Sequence, residues 1–119
     1  MFIIDLKNCV EFICGEKTVV RELLHPDKAE LDIRYSLEYA VLGAGKSSKP
    51  HRLKSSEVHF ILEGEGIMHI GKKSDRVYPH QAIYIPPRAE QFMENTGNTD
   101  MKFLCIVDPA WKREDEEVL

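Results

Sequence analysis

Residues 45–64 read GKSSKPHRLKSSEVHFILEG, and the fold turns on the alternation in the second half of this stretch. Side chains two apart on an extended strand share a face, so Glu57, His59 and Ile61 point one way while Val58, Phe60 and Leu62 point the other. The Gly, Ser and Lys content of residues 43–50 predicts an exposed loop feeding that strand. On the other side, Glu63-Gly64-Glu65-Gly66 predicts a tight hairpin turn. Further out, β-branched and aromatic residues recur in short runs at 2–4, 17–24, 33–42, 58–62, 66–70, 76–78, 82–85, 91–95 and 101–107. Gly, Pro, Asn and Ser clusters separate these runs, with further turns predicted at 71–75 and 95–98. Such spacing predicts an all-β antiparallel sandwich or barrel with little helix. Asp108-Pro109-Ala110-Trp111 then leads into KREDEEVL, which has no sustained apolar period. A single barrel over 1–110 and a charged tail or short helix over 111–119 are expected, with Trp111 as a local hydrophobic anchor.

Composition narrows the function classes. A chain of 119 residues encloses one core without needing disulfides or a structural metal. Its 16 basic and 20 acidic residues give a formal charge of -4, which argues against a general nucleic-acid footprint. Cys9, Cys14 and Cys105 form no CxxC pair, and an odd number of cysteines fits reduced thiols in the cytoplasm. The apolar start MFII is too short for a signal-peptide core or a membrane span.

Residues 45–64 resemble the first motif of the cupin family, in which a glycine precedes HxH, a glutamate and a closing glycine. His51 stands at the first histidine, Glu57 at the glutamate, and Gly45 and Gly64 at the glycines; Leu53 replaces the second histidine. Residues 80–95, HQAIYIPPRAEQFMEN, are similar to the second motif. Pro86 and Asn95 match it, His80 and Arg88 take the glycine positions, and Gln91 takes that of the last metal-binding histidine. The resemblance implies a small single-domain cupin, a jelly-roll double-stranded β-helix of the cupin 2 conserved-barrel type, with an incomplete metal-site motif. It places Glu57, and with it His59, inside the barrel. The strip of Val58, Phe60 and Leu62 then needs a cover, and a homodimer is expected.

The family spans metal-dependent enzymes, sugar isomerases, storage proteins and ligand-sensing domains, so function has to be read from the residues. The resemblance implies a divalent ion (zinc, iron, nickel, manganese or copper) on His51 and Glu57, with Gln91 a weaker donor at the last histidine position; His59, on the same strand face as Glu57, is a candidate substitute ligand. Equally, one acid and one imidazole in a cavity serve a metal-free polar pocket, with His59 hydrogen-bonded to Glu57. Gln91 presents both donor and acceptor. Arg88 is a candidate to reach over the mouth toward an anionic group of a substrate, and Tyr84 a candidate pocket residue. His69, His80 and the three thiols are assigned to packing or surface roles. Three functions stay open: a metal-dependent enzyme acting on a small polar metabolite, a metal-free ligand-binding or sensing module, and a sugar isomerase or epimerase using Lys49, Arg52 and Lys54 as phosphate ligands. Each partner would be a small molecule, with no nucleic acid and no membrane.

Overall fold

The computed structural model describes residues 1–119. Eleven strands run in the order β1 (Glu11–Ile13), β2 (Val19–Leu24), β3 (Ser36–Leu42), β4 (His51–Leu53), β5 (Ser56–Glu63), β6 (Gly66–Ile70), β7 (Lys73–Val77), β8 (Ala82–Ile85), β9 (Gln91–Asn95), β10 (Met101–Asp108) and β11 (Glu116–Val118). Helix is confined to two short 3-10 turns, Leu6–Asn8 and Arg113–Asp115, so no helix is long and apolar enough to cross a membrane. A six-stranded sheet, β1-β2-β3-β10-β5-β8, faces a five-stranded one, β11-β4-β9-β6-β7, and every strand pair is antiparallel.

The core lies between the sheets because the strands alternate. In β3 every second residue, Ser36, Glu38, Ala40 and Leu42, is buried. Strand β10 does the same with Met101, Phe103, Cys105 and Val107. Ile61 on β5 and Ile85 on β8 complete the fully buried aliphatic layer. Removing such side chains from water contributes roughly 1.5–3 kcal/mol each.

Two glycines make the β5–β6 hairpin possible. Gly64 has a φ of +82°, and a Cβ there would lie 2.8 Å from the Asp100 carbonyl oxygen. A side chain on Gly66 would collide with the backbone of Glu94 on the neighbouring strand β9. Both positions therefore need a residue without a side chain, one for its backbone conformation and the other for its strand contact.

Several boundaries differ from the pattern. Residues 2–4 form no strand and leave Ile3 largely in solvent. The turn expected over 71–75 is only Gly71-Lys72, since Ile70 pairs directly with Lys73. The largest difference concerns 111–119, expected as a charged tail or short helix: a 3-10 turn forms at Arg113–Asp115, and the residues after it add a strand to the barrel. Glu116, Glu117 and Val118 pair with Leu53, Arg52 and His51. Trp111 packs on the core beside Phe12, its Nε1–H donating to Glu116 at 3.1 Å. Strand β11, at the sheet edge, and its neighbour β4 have three residues each and carry too little alternation to be seen before they meet.

Candidate functional site

Between the sheets lies a cavity of about 40 Å³ that contains every residue expected as a metal ligand: His51, Glu57, His59 and Gln91. One buried water needs roughly 10–15 Å³ on this measure, so the space suits on the order of three waters or a ligand of a few atoms. His51 opens β4, directly opposite Gln91 on β9. Its Nδ1–H donates to the Lys49 carbonyl at 2.7 Å, which leaves Nε2 with its lone pair toward the cavity. On β5, Glu57 accepts from Gln91 Nε2 at 2.8 Å through Oε1 and from His59 Nε2 at 3.1 Å through Oε2. Burial pushes the Glu57 carboxyl up, but the hydrogen bond and charge of His59, the amide of Gln91 and nearby His51 outweigh it, and the group titrates below its ordinary 4.5.

A second half of the lining comes from residues that no motif pointed to. Glu38 on β3 and His59 on β5 are both register partners of Cys105 on β10, so the three form one transverse row on the inner face. Glu38 Oε1 and His59 Nδ1 have no hydrogen-bond partner. Burial, followed by the charges of Glu57, Glu22, Glu16 and Glu116, holds the Glu38 carboxyl well above its ordinary range. The Cys105 thiol is raised by burial and then by Glu38, and stays protonated. The β1–β2 connection closes one end with Cys14, Glu16 and Thr18, whose hydroxyl donates to Glu16. Glu116 of β11 accepts the Glu16 backbone N–H at 3.1 Å, joining the two ends of the chain over the cavity. Of these residues only Glu38 had a legible signal, a carboxylate in phase with Ser36, Ala40 and Leu42.

The other expected site residues lie elsewhere. Tyr84 stands on the outer face of β8 and is 63% exposed. It pairs with Val58 of the apolar strip and does not line the cavity. Arg88 is exposed, has a φ of +64° and donates its backbone N–H to the Leu53 carbonyl. Its side chain shares an outer concavity with Arg52, Lys54 and the acidic residues 114–117. Pro86-Pro87 ends β8 and sends the chain outward, so the turn aims Gln91 inward while Arg88 stays outside. His69 bonds Glu94 at 2.5 Å and stacks on Phe92, and His80 stacks on Phe60. Neither reaches the cavity.

The Cupin_2 profile, the cupin domain, matches residues 38–107. The chain belongs to the cupin family. It is 35% identical over 109 residues to the uncharacterized protein MJ1618 of Methanocaldococcus jannaschii, covering 91% of this chain and 86% of that one. It is also 31% identical over 88 residues to an oxalate-binding protein of Thermotoga maritima, covering 73% and 68%. Among solved structures, a Thermotoga maritima protein described as a predicted oxalate decarboxylase superposes with a TM-score of 0.78 at 21% identity, over 91% of this chain and 99% of that one. The polyketide cyclase RemF of Streptomyces resistomycificus gives 0.80 at 21%, over 100% and 85%. At these identities the structures establish the jelly-roll fold of this cupin and nothing about its chemistry.

The donor set of this cupin does not fit the divalent transition ion that the motif implies. Both oxygens of Glu57 already accept protein donors, Gln91 turns its amide N–H₂ toward Glu57, and Leu53 has no lone pair. No group of three or more His, Cys, Asp or Glu side chains converges as a metal set. His51 Nε2 and the amide oxygen of Gln91 are the motif donors left without a protein partner, too few to hold such an ion. The expected ligands are thus brought together as a hydrogen-bonded cluster.

Proposed function

We propose that this cupin binds a small polar metabolite without a resident metal, the ligand taking hydrogen bonds from or giving them to His51, His59, Glu57 and Gln91. The observation that carries this is the engagement of both Glu57 oxygens by His59 and Gln91. Glu57 is satisfied within the cluster, while His51 Nε2 and His59 Nδ1 have no protein partner and are open to a ligand. Phosphorylated sugars fit poorly, because Arg52 and Lys54 belong to the outer concavity and Lys49 is exposed. Free oxalate also fits poorly in a lining with four glutamates and neither Lys nor Arg. Three unpaired thiols support a reducing cytoplasm as the setting.

Thermal unfolding of untagged, chelator-treated protein against a library of small polar metabolites tests the proposal. A ligand should raise Tm whether or not chelator is present, by about 2.7 kcal/mol of stabilisation at a hundredfold excess over Kd. Stoichiometric uptake of zinc, iron, nickel, manganese or copper, or a shift abolished by chelator, would instead support the metal-dependent enzyme.

A second copy of the chain is the partner we propose for the outer face of the larger sheet. Ile106, Val58 and Tyr84 form one row there, Leu104, Phe60 and Ala82 the next. The strip ends at β8, an edge strand whose outer backbone groups have no ladder partner.

A further inference from the structure

Eighteen residues line the cavity, and their polar groups are mostly acceptors. No Lys or Arg is among them, while Glu16, Glu38, Glu57 and Glu116 are. Two buried atoms stand out from the cluster already described. Glu38 is 5% exposed and His59 7%, yet Glu38 Oε1 and His59 Nδ1 have no partner. With His59 Nε2–H committed to Glu57, Nδ1 presents a lone pair. Buried polar atoms stay unpaired only at a cost in stability, so a partner belongs between them. They flank Cys105 on adjacent strands, with backbones two interstrand spacings, about 9–10 Å, apart. Together with His51 Nε2, the free groups form an acceptor array among four glutamates, which favours a ligand with donors and positive charge over an anion.

We infer that the ligand of this cavity is a small organic cation carrying N–H donors, a primary ammonium or an amidinium, held between Glu38 Oε1 and His59 Nδ1. This rests on the metal-free binding proposed above and adds the ligand class. Glu38, which burial keeps protonated in the empty cavity, releases that proton to solvent as the cation binds and so supplies the charge; His59 supplies the directional acceptor, and Cys105 lies between them on β10. The family motif plays no part in the choice, because neither Glu38 nor Cys105 belongs to it.

Calorimetric titration of chelator-treated protein tests this with matched pairs: guanidinium against urea, methylammonium against methanol, ethanolammonium against ethylene glycol, and oxalate as the anion. Each cation should bind at least about tenfold more tightly than its neutral counterpart, the scale of one charge-assisted hydrogen bond. Oxalate should not bind. Glu38→Gln keeps the shape, removes the charge and should bring the ratio close to one without lowering Tm. Equal binding of neutral and charged partners would overturn the inference and leave metal-free binding standing. An unchanged ratio in Glu38→Gln would overturn the role of Glu38. Binding of metal ions alone would overturn both proposals. If none of the cations binds while a neutral metabolite does, the inference fails and the two atoms are satisfied by water.

Discussion

On the inner face of the larger sheet Glu38, Glu57 and His59 are buried, whereas on its outer face Phe60, Tyr84 and Ile106 meet solvent. The two sets meet on β5, where His59 and Phe60 are consecutive; Glu38 lies on β3, Tyr84 on β8 and Ile106 on β10. Polar groups inside and apolar groups outside invert the usual arrangement, and each inversion has a cost that a second molecule can remove. Inside, the two buried acids also differ from each other. Glu57 is fully engaged, while Glu38 has an unpaired oxygen. The same side chain is therefore structural on β5 and unsatisfied on β3.

The largest effect expected is from Glu57→Ala, which strands the Nε2 atoms of His59 and Gln91 without an acceptor. Stability should fall by about 3–5 kcal/mol in urea unfolding of the ligand-free protein. A loss under 1 kcal/mol would mean that the cluster does not hold the barrel together. Glu38→Gln should act in the opposite direction, raising stability at neutral pH by on the order of 1 kcal/mol, because the amide stays neutral without holding a proton in a site that disfavours the carboxylate. If it destabilises instead, Glu38 has a partner in solution and the contrast between the two acids disappears.

The pH dependence separates the same pair. Because its folded pKa lies above the ordinary 4.5, Glu38 binds its proton more tightly folded than unfolded. Its contribution is complete below 4.5 and is lost as pH rises through the folded value. Glu16, also raised by burial against the Thr18 hydrogen bond, adds in the same direction. Glu57, lowered, contributes above 4.5 and loses its contribution as pH falls through its folded value. Unfolding measured upward from pH 4.5 should show a decline that is shallower in Glu38→Gln, with the remainder due to Glu16. Parallel slopes in the two proteins would remove Glu38 from the balance.

On the outer face the smallest change in folding is expected. Tyr84→Ser should leave monomer stability within about 0.5 kcal/mol, since the side chain is mostly in solvent. Combined with Ile106→Ser it should convert a dimer to a monomer in light scattering. A wild-type protein that is already monomeric would show that the strip is tolerated in water.

Much of this molecule was visible before folding. Strands β6, β8 and β9 have the bounds that alternation assigns, and His51, Glu57, His59 and Gln91 do meet in one cavity. Arg88 lies outside the cavity because a motif fixes spacing along the chain but not the outward bend after Pro86-Pro87, and Tyr84 lies outside because it shares the outer face of β8 with Ala82 while Ile85 points in. Cys14, Glu16, Thr18 and Glu116 were invisible as site residues, since each lies in a short, polar end segment whose neighbours are far away in sequence. What the sequence by itself determined, through local periodicity and residue chemistry, is the antiparallel all-β fold and the glycine turn of its hairpin; the jelly roll and the depletion of the metal motif at Leu53 and Gln91 followed from the resemblance to cupins. Only the tertiary structure decided that Glu57 is already satisfied, that Glu38 is not, and that the two chain ends close the cavity. Those facts depend on register between distant strands, which no local pattern encodes.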